Sequence, residues 1–173
     1  MTATFIVAVV RAAPGGGNLL PLAVWLVVGL AAIPSTAIWN RIGGRAGAWS
    51  AYGWACLLEA LGVAVGGLWP NAAGALIAAV LLGGTFMGIT ALGFAAAHTQ
   101  SHDQQRRSFA RITAAFGVGQ IAGPVVAGWL IDRTGSFVAP SLIGAAALML
   151  AAGIAIWTAA RLTRADERPR VSS

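Results

Sequence analysis

From Leu19 to Trp39 the chain carries no charged side chain for twenty-one residues, and four further stretches repeat the pattern. These are Ala48 to Trp69, Ala72 to Ala97, Ile112 to Ile131 and Ser136 to Ala160, with Glu59 the one charge inside any of them. A hydrocarbon core about 30 Å thick is crossed by about 20 helical residues. Water is absent there, so each backbone donor and acceptor must be satisfied within its own segment, which makes the helix the required form. The chain therefore reads as an all-α integral membrane protein with five complete spans. Thr2 to Ala13 is apolar apart from Arg11, but as a helix it covers only about 18 Å. It reads as the outer end of a longer helix whose beginning is missing, giving a six-helix bundle with its first helix truncated.

The turns between spans are marked by their residues. Pro14-Gly15-Gly16-Gly17-Asn18 and Pro70-Asn71 are turn sequences. Asn40 to Arg45 is expected as a short basic turn, and His98 to Arg111 as a polar connection. Residues 1–160 form the bundle, and 161–173 form a charged tail expected to be disordered.

Charge then sets the orientation. Only 9% of residues are charged, against roughly a quarter in soluble domains. All 11 basic residues are arginines, and they sit at the ends of apolar runs rather than among aromatics. The net charge of +6 thus points to a lipid bilayer and not to nucleic acid. If the chain begins on the cytoplasmic side, nine arginines (41, 45, 106, 107, 111, 161, 164, 168 and 170) lie inside and two, Arg11 and Arg133, outside. The positive-inside rule favours that arrangement and a cytoplasmic C-terminus, in a multi-pass protein of the cell (inner) membrane. Cys56 is the single cysteine and has no internal disulfide partner.

The stretch Gly117 to Phe137, GVGQIAGPVVAGWLIDRTGSF, is expected to organise the bundle. Gly119, Gly123 and Ala127 recur every four residues and make a flat stripe of the kind that lets membrane helices approach closely. Pro124 is tolerable mid-span because neighbouring helices satisfy the freed carbonyl. Thr113, Gly117 and Gln120 share a face at i, i+4 and i+7, a polar strip suited to lining a cavity.

The run GQIAGPVVAGWLIDRTGS resembles the eleventh helix and following loop of major facilitator superfamily (MFS) transporters. Gly128, Asp132, Arg133 and Gly135 fit that superfamily's loop pattern of a glycine, an acid, a basic residue and a glycine. Asn40, Arg41, Gly43 and Arg45 resemble the same pattern between helices eight and nine, with Asn40 in place of the acid and Thr36 in place of the first glycine. Gly83 to Gly93, GGTFMGITALG, is similar to the YbfB/YjiJ-like group. The resemblance implies the C-terminal half of a twelve-helix MFS fold, helices seven to twelve, with Met1 inside helix seven. It implies secondary active transport of a small-molecule substrate by alternating access, with the missing N-terminal six-helix half as partner. A gene fragment, a mis-called start or half of a split transporter would each give such a chain. The alternative function is a non-transporting membrane fragment or accessory subunit.

Candidate chemistry is sparse. Gln120 either hydrogen-bonds a substrate or bridges two helices. Thr85 and Thr90 face the same choice, with their own helix carbonyls as the bland partner. Glu59, an acid at mid-membrane, is a proton carrier or a protonated acid hydrogen-bonded to a neighbouring helix; it shares a face with Gly62 and Gly66, which turns it toward protein. In the resembled family helix nine, which carries it, is peripheral. Arg11 either attracts an anionic substrate or snorkels to the headgroups. His98 and His102 have a metal-ligand spacing, but HTQSHDQQRR is polar throughout and favours a solvated loop, so no metal site is expected. No cofactor is expected either. Without a lysine there is no Walker motif, and no G-x-S-x-G elbow is present, so an enzyme is not expected.

Overall fold

In a computed structural model of the protein, residues 19–97 and 102–166 are described. They form five α-helices: α1 (Leu20–Ala46), α2 (Ala48–Leu68), α3 (Ala72–Ala97), α4 (His102–Thr134) and α5 (Val138–Asp166). All five are long and apolar enough to cross a membrane. Five helices are thus found among the described residues where six were expected. The short first helix, Thr2 to Ala13, lies outside them, as do Arg11 and His98.

Three boundaries differ from the sequence expectation. Asn40 to Arg45 is no turn but the end of α1, which at 27 residues is about 40 Å long. The connection to α2 shrinks to Gly47, whose φ of 85° is the left-handed conformation that glycine adopts without strain. The polar segment expected as a loop becomes helical at His102, so α4 runs from there to Thr134 rather than from Ile112 to Ile131. Polar residues are no obstacle to a helix once it has left the hydrocarbon. By the same logic α5 continues through Asp166, past the expected boundary at residue 160.

Pro70-Asn71 does form a turn, and Asn71 also caps α3: its Oδ1 accepts the Gly74 amide at 2.8 Å. At the other end of the bundle Gly135, with φ of 63°, closes α4, and its amide donates to the Ile131 carbonyl at 2.8 Å.

Neighbouring pairs show that successive helices alternate in direction. Gly62 meets Leu81 and Gly66 meets Ala78, so α2 and α3 are antiparallel. Gly53 meets Ile156 while Gly67 meets Ser141, so α2 and α5 are antiparallel too. Gly83 lies against Val28 and Gly43 against Leu92, which makes α1 and α3 parallel. The order across the bundle is α1, α3, α2, α5, with α4 laid more lightly against α3 and α5. Alternation collects Arg41, Arg45, Arg106, Arg107, Arg111, Arg161 and Arg164 at one end and leaves Arg133 at the other.

Small residues make these contacts. One buried cluster joins Val24 of α1 to Ala75, Ala78, Ala79 and Leu82 of α3. A second joins Trp39 to Ala51, Ala55 and Leu92. Where lipid is as apolar as leucine, close backbone approach replaces the hydrophobic drive. The centre of this packing is α2 and α3, not the helix that carries the GQIAGP run. On α4 the small-residue stripe is only partly used. Gly123 and Ala127 are buried, but a side chain added at Gly119 would meet nothing within 4 Å.

Candidate functional site, a cleft between four helices

Tyr52, Cys56 and Glu59 follow one another at i, i+4 and i+7 on α2 and so share a face. That face borders a cleft of about 430 Å³ closed by α3, α4 and α5. From α3 come Phe86, Ile89, Thr90, Gly93 and Phe94; from α4, Ile112, Thr113 and Phe116; from α5, Leu148 and Ala151. The volume lies in the ordinary range of small-molecule pockets, roughly 300 to 1,000 Å³.

Aromatic contacts hold α4 across the opening. The rings of Phe94 and Phe109 meet edge-on with centroids 5.3 Å apart, and those of Phe86 and Phe116 tilt together at 6.5 Å. These pairs span α3 and α4 at both ends of the cleft, which keeps the two helices apart between them.

Among the described residues Glu59 is the one acid in the cleft wall, and it is only 6% exposed. Its Oε2 stands 3.5 Å from the Thr85 hydroxyl, at the outer limit of a hydrogen bond. Thr85 gives its proton to the Leu81 carbonyl at 2.7 Å. Thr90 likewise donates to the Phe86 carbonyl at 3.0 Å. Both threonines thus bond their own helix, and Thr90, the one of the two that lines the cleft, turns oxygen lone pairs toward it.

The remaining candidates are scattered. Thr113 lines the cleft, whereas Gln120, two turns along the same face of α4, is exposed and does not. Asn40, Arg41 and Arg45 are exposed at the end of α1, and Gly43 packs on Leu92. At the opposite end Asp132 is exposed, and the Arg133 guanidinium lies over the Trp129 ring at 4.3 Å. Arg161 covers Trp157 in the same manner at 3.6 Å. Amphipathic pairs of this kind belong at a membrane–water interface. No cluster of three metal-ligating side chains is found among the described residues.

Sequence reasoning passed over a second polar contact, between α1 and α3. The Ser35 hydroxyl and the Trp39 indole both donate to the Gly84 carbonyl, at 2.9 and 2.7 Å. Ser35 Oγ in turn accepts the Gly88 amide at 3.2 Å. Both side chains are buried. Their spacing of four, which puts both on one face of α1, was the available signal, and so was the i, i+4, i+7 face of Tyr52, Cys56 and Glu59.

No curated protein and no solved structure matches the chain. A family model described as "Uncharacterised MFS-type transporter YbfB" matches residues 1–156. With five membrane-length helices and a match over most of its length, the chain belongs to this YbfB family of major facilitator superfamily transporters.

Proposed function

We propose that the chain is the C-terminal half of a secondary active transporter that moves a small molecule by alternating access. Glu59, Thr90 and Thr113 contribute to its pathway. The observation that carries this reading is the four-helix cleft, an apolar space of ligand size that holds a nearly buried acid in the middle of a membrane span. Intramembrane acids are costly and mark substrate or proton pathways.

In this reading the lightly packed α4 is the mobile wall. It touches α3 and α5 sparingly, and its exposed face, with Gln120, meets a second helical bundle corresponding to the other half of the fold. The arginine-rich end faces the cytoplasm of a cell (inner) membrane. Glu59 carries a proton or pairs with the cargo.

Alternating access is tested by labelling. In a Cys56→Ser background, Thr113→Cys should react with a membrane-impermeant thiol reagent from either side of oriented vesicles, in proportions that a bound substrate shifts. Reaction from one side alone under every condition would sink the mechanism and favour a non-transporting accessory role.

A further inference from the structure

We propose that the cleft between α2, α3, α4 and α5 binds an organic cation with an apolar body, such as an aryl-alkyl ammonium, and that Glu59 is its counter-charge. This deepens the transporter reading and rests on it only in taking the bound molecule as cargo.

Three observations converge on that class. The first is charge: among the described residues the one ionic side chain in the wall is an acid, and no basic side chain lines the cleft. A carboxylate placed in hydrocarbon needs a partner, and the side chain that hydrogen-bonds it among the described residues, Thr85, lies at the edge of hydrogen-bond distance and also donates to the Leu81 carbonyl at 2.7 Å. The second is hydrogen-bonding sense. Thr90 has also spent its proton within the helix, so it presents an acceptor to the cleft. A ligand that donates N–H groups satisfies Glu59 and Thr90 together; an anion or a pure acceptor satisfies neither. The third is the rest of the wall, where Tyr52, Phe86, Phe94 and Phe116 supply rings from three helices. Ring faces attract cations and also accept apolar carbon, the combination that an ammonium on a hydrophobic stem requires.

The geometry also provides a control. Gly93 lines the cleft, and a Cβ built there meets only Tyr52 Cε2, at 3.5 Å, an ordinary contact. Gly93→Leu therefore adds bulk at the cleft wall from a position where the first added carbon makes only an ordinary contact.

The test is equilibrium binding of labelled 4-phenylbutylamine, protonated at neutral pH, to the protein in lipid nanodiscs, with empty nanodiscs subtracted for partitioning. Native protein should bind saturably, and its neutral isostere 4-phenylbutanol should not compete. Glu59→Gln and Gly93→Leu should each weaken binding about tenfold or more, and Glu59→Asp, which keeps the charge, should weaken it less than Glu59→Gln. Size-exclusion profiles report whether each variant is folded; if Glu59→Gln is not, Gly93→Leu and Glu59→Asp carry the test. Equal binding by folded Glu59→Gln would overturn the proposal. So would effective competition by the alcohol, or no saturable binding by folded native protein. Binding is read without flux, so saturable binding supports the cleft assignment by itself, and flux measured with the other half of the fold present tests the transport reading separately.

Discussion

The indole of Trp39 on α1 and the backbone carbonyl of Gly84 on α3 meet at 2.7 Å, and the geometry of that meeting depends on a missing side chain one turn away. A Cβ at Gly88 would strike the Trp39 ring. Glycine there lets the indole lie flat against α3 and reach Gly84, while Ser35 completes the contact from the turn before. The GGTFMG segment is thus a packing surface for α1 as well as one wall of the cleft. Its first glycine, Gly83, lies against the Val28 carbonyl, and Phe86 projects from it into the cleft.

Gly88→Val should therefore loosen the α1–α3 contact, whereas Gly29→Val should not, because a side chain at Gly29 meets nothing within 4 Å. Losing one of the two hydrogen bonds to Gly84, by Trp39→Phe or Ser35→Ala, should cost about 1 kcal/mol. Thermal unfolding in detergent measures all four variants. Equal midpoints for Gly88→Val and Gly29→Val would refute the contact.

Much of the architecture was legible because the bilayer imposes it. Five runs of the right length, with Glu59 their one charge, leave only helices, and the connections between them leave only alternation in direction. The errors lie where a local rule lost to its surroundings. Asn40 to Arg45 has the composition of a turn, yet Gly43 sits inside α1 because Leu92 of α3 fills the space where its side chain would be. The GQIAGP helix looked central because its small-residue stripe is the most regular in the sequence. In the structure Gly119 has no neighbour, and the close packing is made by glycines and alanines of α2 and α3. Glu59's face could be read from spacing alone. Its company could be read only in part, because Phe116 and Leu148 arrive from α4 and α5, which sequence order does not place beside α2.

The stripe on α4 can be tested position by position. Gly123 is buried and Gly119 is exposed, so Gly123→Leu should reduce the folded fraction in detergent while Gly119→Leu leaves it unchanged. Leu150 of α5 is 70% exposed, and Leu150→Ala should be nearly silent. A loss at Gly119 equal to that at Gly123 would mean that the whole stripe is packed.

The arginine-rich end is expected on the cytoplasmic side by the positive-inside rule. A phosphatase reporter, active only outside the cytoplasm, should be silent when fused after Ser173 and active when inserted after Gly135. Strong activity from the C-terminal fusion would place Arg41, Arg106 and Arg161 outside and reverse the topology.

Gln120 separates the cleft from the wider pathway. It lies on the Thr113 face of α4 beyond Phe116, exposed and outside the cleft lining. Leucine has similar bulk and suits a membrane helix, so Gln120→Leu should insert and fold normally. If the residue lines the route taken by cargo toward the cleft, the variant should bind 4-phenylbutylamine like the native protein in nanodiscs. With both halves of the fold present, flux into proteoliposomes should fall about tenfold, equivalent to about 1.4 kcal/mol on the rate-limiting barrier. A glutamine that instead bridges to another helix would lower the folded amount, because its partner would be left unpaired in a medium without water. Native flux from a well-folded Gln120→Leu variant would exclude both roles and confine the pathway to the Glu59 side of the bundle. Measuring binding, flux and folded amount on one preparation distinguishes the three results.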